Sequence, residues 1–223
     1  VGIAIGVSLL LLSWSPVRAE IQTLWTATSL PVMAMVISCS LLAAVYMTSQ
    51  VTWFDTGLYH FGAIRWLSEY GTVPGLALLI DNLGFTSSWF ALAAPFSVKS
   101  IAPRISAMVN GFVFLIFICH GLLVLWYWWV GKARIADKFM LIFLGLVLPA
   151  LLFTPFMSTV LVSSSPDIPV IFLTGIMAWS ILTLVNRPDV EKTNLNSHWD
   201  ASLIPLLLAL GAVSIKLSAL PLL

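Results

Sequence analysis

The chain has 223 residues, of which 60% are hydrophobic and only 9% charged; its net charge is +1 and its mean hydropathy +1.04. An ordinary soluble domain is about 45–50% apolar and about 25% charged, so no water-soluble fold of this length has interior enough for so much apolar surface, and lipid must cover the remainder. A pI near 8.0 without a basic run or a strand-based aromatic platform excludes nucleic acid as a partner.

The first stretch, Val1–Trp14, is apolar and is followed by Val17-Arg18-Ala19, which resembles a signal-peptide cleavage site. It lacks the basic n-region of a signal peptide. The expectation is instead the end of a transmembrane helix. A chain that opens on valine and stops at Leu223, both inside apolar runs, reads as a fragment of a longer membrane protein.

A bilayer core of about 30 Å requires about 20 apolar residues per helix. Five runs meet or approach that length: Leu24–Met47, Ser106–Val130, Lys138–Met157, Ile168–Val185 and Ser202–Leu222, the last carrying Lys216. The expected fold class is therefore an all-α integral membrane protein, with residues 1–223 forming a single transmembrane domain. It has about five complete transmembrane helices and a partial leading helix. Tryptophans gather near span ends, as in Trp126-Tyr127-Trp128-Trp129, which suits an interfacial belt. Cys39 and Cys119 sit inside apolar spans and read as small buried hydrophobes, with no disulfide or metal spacing.

Residues 48–105 read as a long first external loop containing short juxtamembrane helices. Leu58–Tyr70 separates apolar from polar side chains at helical spacing, with Arg65 and Glu69 four apart. Gly71 and Pro74 punctuate it. Val73–Phe85 and Ser87–Val98 are apolar but short, which suits interfacial or re-entrant helices better than crossings. With this loop external, Arg18, Lys132, Arg134, Lys138, Arg187 and Lys192 fall on one side and only Arg65, Lys99 and Arg104 on the other. That asymmetry obeys the positive-inside rule. It also places Asp55, the Ser163–Asp167 turn and Lys216 on one outward face.

The loop segment Thr52–Pro74 is the richest in chemistry, with Asp55, His60, Arg65 and Glu69 within 15 positions. Polar groups beside a bilayer are costly unless solvated, paired or functional. Asp55 reads first as a helix N-cap and second as a general base or metal ligand at the membrane surface. His60 lies about one and a half turns further on, so it need not share the face of Asp55. Arg65–Glu69 reads as a surface pair. Ser163-Ser164-Ser165-Pro166-Asp167 is a turn that opens a helix, with Asp167 as the cap and Pro169 at an early position. Two carboxylates and a helix N-terminus are able to hold a divalent cation and a phosphate. Lys216 either snorkels to the interface or faces a cavity as a cation for phosphate. His120 reads as a satisfied packing residue, and His198 gets no role.

An aspartate just after an early transmembrane helix, in a long external loop with juxtamembrane helices, resembles the GT-C glycosyltransferases, in their uncharacterised bacterial multispanning branch. The residues that carry the likeness are Asp55-x-x-Leu58-Tyr59-His60, then Trp66, Tyr70-Gly71-x-Val73-Pro74-Gly75-Leu76 and Ser87-Ser88-Trp89. The Ser165-Pro166-Asp167 turn and Ile215-Lys216-Leu217-Ser218 strengthen it. The resemblance implies a membrane enzyme that moves a sugar from a polyprenyl-phosphate-linked donor to an acceptor, on the extracytoplasmic face of a bacterial inner membrane. Asp55 would be the catalytic aspartate, acting as base or positioning a metal. Asp167 would be the second acidic group, and His60 and Lys216 would face the donor phosphate. A divalent cation, magnesium or manganese, would lie on Asp55 and Asp167. The chain is shorter than whole enzymes of that type. Two other classes remain: a transporter-like protein, which needs polar residues along a span interior, and a multispanning subunit without chemistry, in which every polar group is a cap or a surface charge. Convergence of Asp55, Asp167 and Lys216 separates the enzyme from the scaffold.

Overall fold

A computed structural model describes residues 8, 11, 14–27, 29–84, 87–97, 107–186 and 195–223. Every regular element among the described residues is helical. The chain divides into two compact units, Val1–Leu41 and Leu42–Leu223. In the first, α1 (Trp14–Ala27) precedes α2 (Leu30–Met47), which runs on into the second. The expected span Leu24–Met47 is thus too long at its start. Its first four residues belong to α1, a helix whose low apolar content hid it from a hydropathy reading. The Val1–Trp14 remnant lies almost wholly outside the described residues, as do Lys99, Arg104, Arg187 and Lys192 and the side chain of His198.

In the second unit a π-turn, Thr56–His60, leads directly into α3 (Phe61–Tyr70). Gly71 ends that helix with φ 69°, a left-handed backbone that favours glycine. The rest of the loop is shorter in structure than its apolar runs suggested: α4 (Leu76–Leu79), a 3₁₀ turn at Asp81–Gly84, α5 (Ser88–Ala93) and a 3₁₀ turn at Ala94–Phe96. None of these approaches the length of a crossing.

The apolar helices α6 (Met108–Trp129), α7 (Ile135–Phe153) and α9 (Asp167–Val185), together with α2, are long and apolar enough to cross a membrane. Their outer faces leave many large apolar side chains exposed, Ile142, Leu146 and Phe153 among them, and lipid is the solvent that suits such surfaces. The protein is an all-α integral membrane protein. Met140, Leu144, Phe117 and Phe172 form the centre of the core, with Phe117 and Phe172 stacked at 4.2 Å. A Cβ at Gly175 would meet the Phe143 ring at 2.3 Å, so α7 and α9 approach where only glycine fits.

Two expected spans change at their ends. Lys138–Met157 is replaced by α7, which stops at Phe153 because Pro155 supplies no N–H to continue it; a separate helix, α8 (Pro155–Leu161), starts under the Thr154 cap. Ser202–Leu222 is replaced by α10 (Leu195–Ile215), of which only Leu203–Ile215 is apolar. Lys216 is extended, and a 3₁₀ helix, Leu217–Leu222, follows it.

The loop leaves and re-enters the bundle at one end. Met47, the last residue of α2, lies against Gly111 in the first turn of α6, and Tyr46 faces Phe114. The Ser163–Asp167 turn and the end of α10 are bonded to this same end, whereas Lys132, Arg134 and Lys138 lie at the other, in and beside the α6–α7 turn.

Candidate functional site

Asp55 stands one residue before the π-turn, half-buried, and makes no capping hydrogen bond. Its expected role as an N-cap is therefore corrected: the backbone is already helical at Asp55, so the N–H groups a cap would serve lie further back. The π-turn also alters the relation of Asp55 to His60. Phe61 N–H bonds Thr56 O, five residues back. In π geometry it is residues five apart that stack along the axis, as residues four apart do in an α-helix. Asp55 and His60, five apart, are thus brought toward one face, against the expectation from α-helical spacing.

His60 is 1% exposed, wedged between Tyr59 and Phe90 with ring separations of 4.5 and 5.1 Å. Its Nδ1 shares a hydrogen bond of 3.4 Å with the Thr56 hydroxyl, and its Nε2 has no partner among the described residues. Burial pushes its pKa down to about 4; the charges of Asp55 and Asp167 pull the other way, and Lys216 adds to the lowering. The imidazole is neutral at pH 7. Tyr59 is pushed up by burial and then by the same two carboxylates.

Asp167 is the first residue of α9 rather than its cap. The cap position falls on Pro166, whose side chain has no group to cap with, and Ser165 before it serves the first turn: its Oγ accepts from Asp167 N–H at 3.2 Å and donates to Asp167 Oδ2 at 2.9 Å. Asp167 Oδ1 forms an ion pair with Lys216 Nζ, and both side chains remain 40% exposed. The extended backbone at Lys216 aims its side chain across to α9. Lys216 therefore stands just past the end of α10, not within the span, and is paired with Asp167. The four residues named from the sequence, Asp55, His60, Asp167 and Lys216, share one electrostatic neighbourhood at the loop end of the bundle.

Sequence reading missed Asn110, which is 0% exposed in the first turn of α6. Its Nδ2 donates to Ser163 O at 2.8 Å and Ser165 O at 3.1 Å, while its Oδ1 accepts from Trp89 Nε1 at 2.7 Å. An asparagine inside an apolar span is itself the signal that would have found it. A groove of about 490 Å³ lies beside the site, walled by Trp66, Leu67, Val73, Leu76, Ser88 and Ser214, and no residue lining it is charged.

The donor set does not fit a divalent cation while Lys216 is in place. One oxygen of Asp167 is on the lysine ammonium and the other on a serine hydroxyl, and a cation on Asp167 would have to displace Lys216. No group of three or more metal-ligating side chains forms among the described residues.

A family model, described as a domain of unknown function, DUF8201, matches residues 1–223. The chain belongs to the DUF8201 family. No curated protein and no solved structure matches this DUF8201 member.

Proposed function

We propose that this protein is a polytopic membrane glycosyltransferase that moves a sugar from a lipid-phosphate-linked donor to an acceptor hydroxyl, with Asp55 as the base. The observation that supports this reading is the convergence of an uncapped, half-buried Asp55, a neutral buried His60 and the Asp167–Lys216 pair at one end of an apolar bundle. A cluster of titratable side chains that includes a histidine held neutral by burial is a mark of a chemical site.

In the proposed step the acceptor oxygen bonds to the anomeric carbon of the sugar. The bond from that carbon to the phosphate oxygen breaks, and its electron pair leaves with the lipid phosphate. The acceptor proton passes to Asp55. Lys216 exchanges Asp167 for the phosphate as charge builds there, and Asp167 returns it afterwards. His60 faces the donor in this reading without adding charge; its Nε2 is buried, so contact with a donor oxygen requires Tyr59 or Phe90 to move aside. The step uses residues of this chain and no metal. The site lies on the extracytoplasmic face of a bacterial inner membrane in this reading, because Lys132, Arg134 and Lys138 gather at the opposite end.

A second reading, a multispanning subunit without chemistry, has one observation in its favour: Asp167 already neutralises Lys216. The test uses full-length protein in nanodiscs with radiolabelled polyprenyl-phosphate sugars. Asp55→Asn keeps the size of the side chain and removes its charge. Transfer should fall by about 10²–10⁴, with the thermal midpoint unchanged. Transfer at the parent rate removes Asp55 as base. A parent protein that neither transfers nor hydrolyses any donor of the panel favours the subunit.

A further inference from the structure

Asp167 and Lys216 are 49 residues apart in sequence, and each stands at the edge of its own element. Their helices, α9 and α10, pack directly against each other, and a third element, α5, ties down both ends of the pair through two arms. The first arm holds the end of α10. Ser87 Oγ donates to Ile215 O at 2.6 Å, and Ser88 and Ser214 share a hydroxyl bond of 3.0 Å. Had the helix continued, Ile215 O would have accepted from Ala219 N–H; that N–H instead bonds Lys216 O, so the Ile215 carbonyl is left for Ser87. The helix stops where the loop takes its last carbonyl, and Lys216 is turned outward at that point.

The second arm holds the turn before α9. Trp89 Nε1 bonds Asn110, and Asn110 spends both of its N–H donors on Ser163 O and Ser165 O. Ser165 in turn bonds both the backbone and the carboxylate of Asp167. A buried amide is costly unless its bonds are all made, and a fully bonded one fixes its partners. Ser87 and Trp89 lie two residues apart at the start of one short element, so the spacing of the two arms is set by α5 itself. Ser87, Ser88, Phe90 and Ala91 also wall the uncharged groove, with Ser214 of the first arm.

We propose that α5 and Asn110 form a clasp in which Asn110 is the positioning residue that keeps the Asp167 turn against the Lys216 end of α10. The importance of the clasp for sugar transfer rests on the transferase reading; its effect on Lys216 does not.

The test measures the rate at which a membrane-impermeant, amine-reactive ester labels Lys216 in full-length protein in nanodiscs. Mass spectrometry resolves each site, and Lys132 and Lys138, both exposed at the other end, serve as internal references. Asn110→Leu removes the whole strut, and Lys216 labelling relative to the references should rise about fivefold or more, the shift expected for loss of one or more hydrogen bonds. Trp89→Phe removes one bond and keeps an aromatic six-membered ring in the pocket, so it should fold where Asn110→Leu does not, and raise labelling about two- to fivefold. An unchanged relative rate in folded Trp89→Phe overturns the clasp. Faster labelling of the variants of a parent that transfers no sugar keeps the clasp and sinks the transferase. Unchanged labelling in a protein that transfers does the reverse.

Discussion

The two ends of the bundle each hold a histidine near an aspartate, buried at the loop end and half-buried at the other, and they use them differently. At the far end Asp137, 8% exposed, is fully spent on structure. Its Oδ2 accepts from Arg134 N–H at 2.9 Å in a capping box, and its Oδ1 accepts from Trp179 Nε1 at 3.2 Å. His120 lies edge-on to Trp179 at 5.1 Å. Its Nε2 has no partner among the described residues, so the expectation of a fully satisfied packing residue fails there. At the loop end Asp55 caps nothing, and Asp167 and Lys216 are 40% exposed. A polar residue at membrane depth is thus not by itself a functional sign. What separates the ends is Asp55: Asp137 and Asp167 are each bonded through both oxygens, whereas Asp55 makes no capping bond.

That contrast is broken or sharpened by three measurements beyond the Asp55 and clasp experiments. The largest effect belongs to the far end. Asp137→Ala leaves Trp179 Nε1 and the first turn of α7 without their acceptor, and should cost about 2–4 kcal/mol in reversible unfolding. Asp55→Asn in the same assay should cost nothing measurable. Equal losses at both ends would erase the distinction.

His60 gives the next effect. Its folded pKa, about 4, is below the unfolded 6.5, so the unfolded chain takes up the proton first as pH falls. Its contribution is fully present above pH 6.5 and is lost through the window from 6.5 down to about 4. Between pH 7.5 and 5 this amounts to roughly 2 kcal/mol. His60→Gln should flatten that part of the stability curve, and a slope equal to the parent's would mean another group titrates there. The smallest effect is at Arg65, whose pair with Glu69 spans 3.0 Å on the surface. Arg65→Gln should cost about 0.3–0.5 kcal/mol, and less in high salt.

Hydropathy makes the apolar helices legible, and the sign of the loop charges is enough to group Asp55, Asp167 and Lys216 at one end. The finer errors have a common cause. Ile215-Lys216-Leu217-Ser218 carries no glycine or proline to stop a helix, so its end is invisible in the sequence; it is set by Ser87, 128 residues away. Thr154-Pro155 does carry the stop signal, but the apolar run across it outweighs it. Trp14–Ala27 forms a helix too polar for a hydropathy window. Asn110 looks like one more residue of a span because its partners, Trp89 and the Ser163–Ser165 carbonyls, are joined to it only by the fold. At the start of α9, Ser165 and Asp167 are both good cap residues, yet the cap position falls between them on Pro166, which only geometry reveals.

The π-turn at Thr56–His60 can be read as a matter of counting. Its five-residue closure absorbs one residue more than an α-turn would, yet Phe61–Tyr70 continues from it without a break. Removing Gly57, which has open space around it, would return the closure to four residues. Asp55 and His60 would then stand four apart in an α-turn and still share a face, while α3 kept its amphipathic face. The extra residue of the wide turn is therefore what lets two side chains five apart lie together, and winding the same five residues as an α-turn, with none removed, is the change that would separate them.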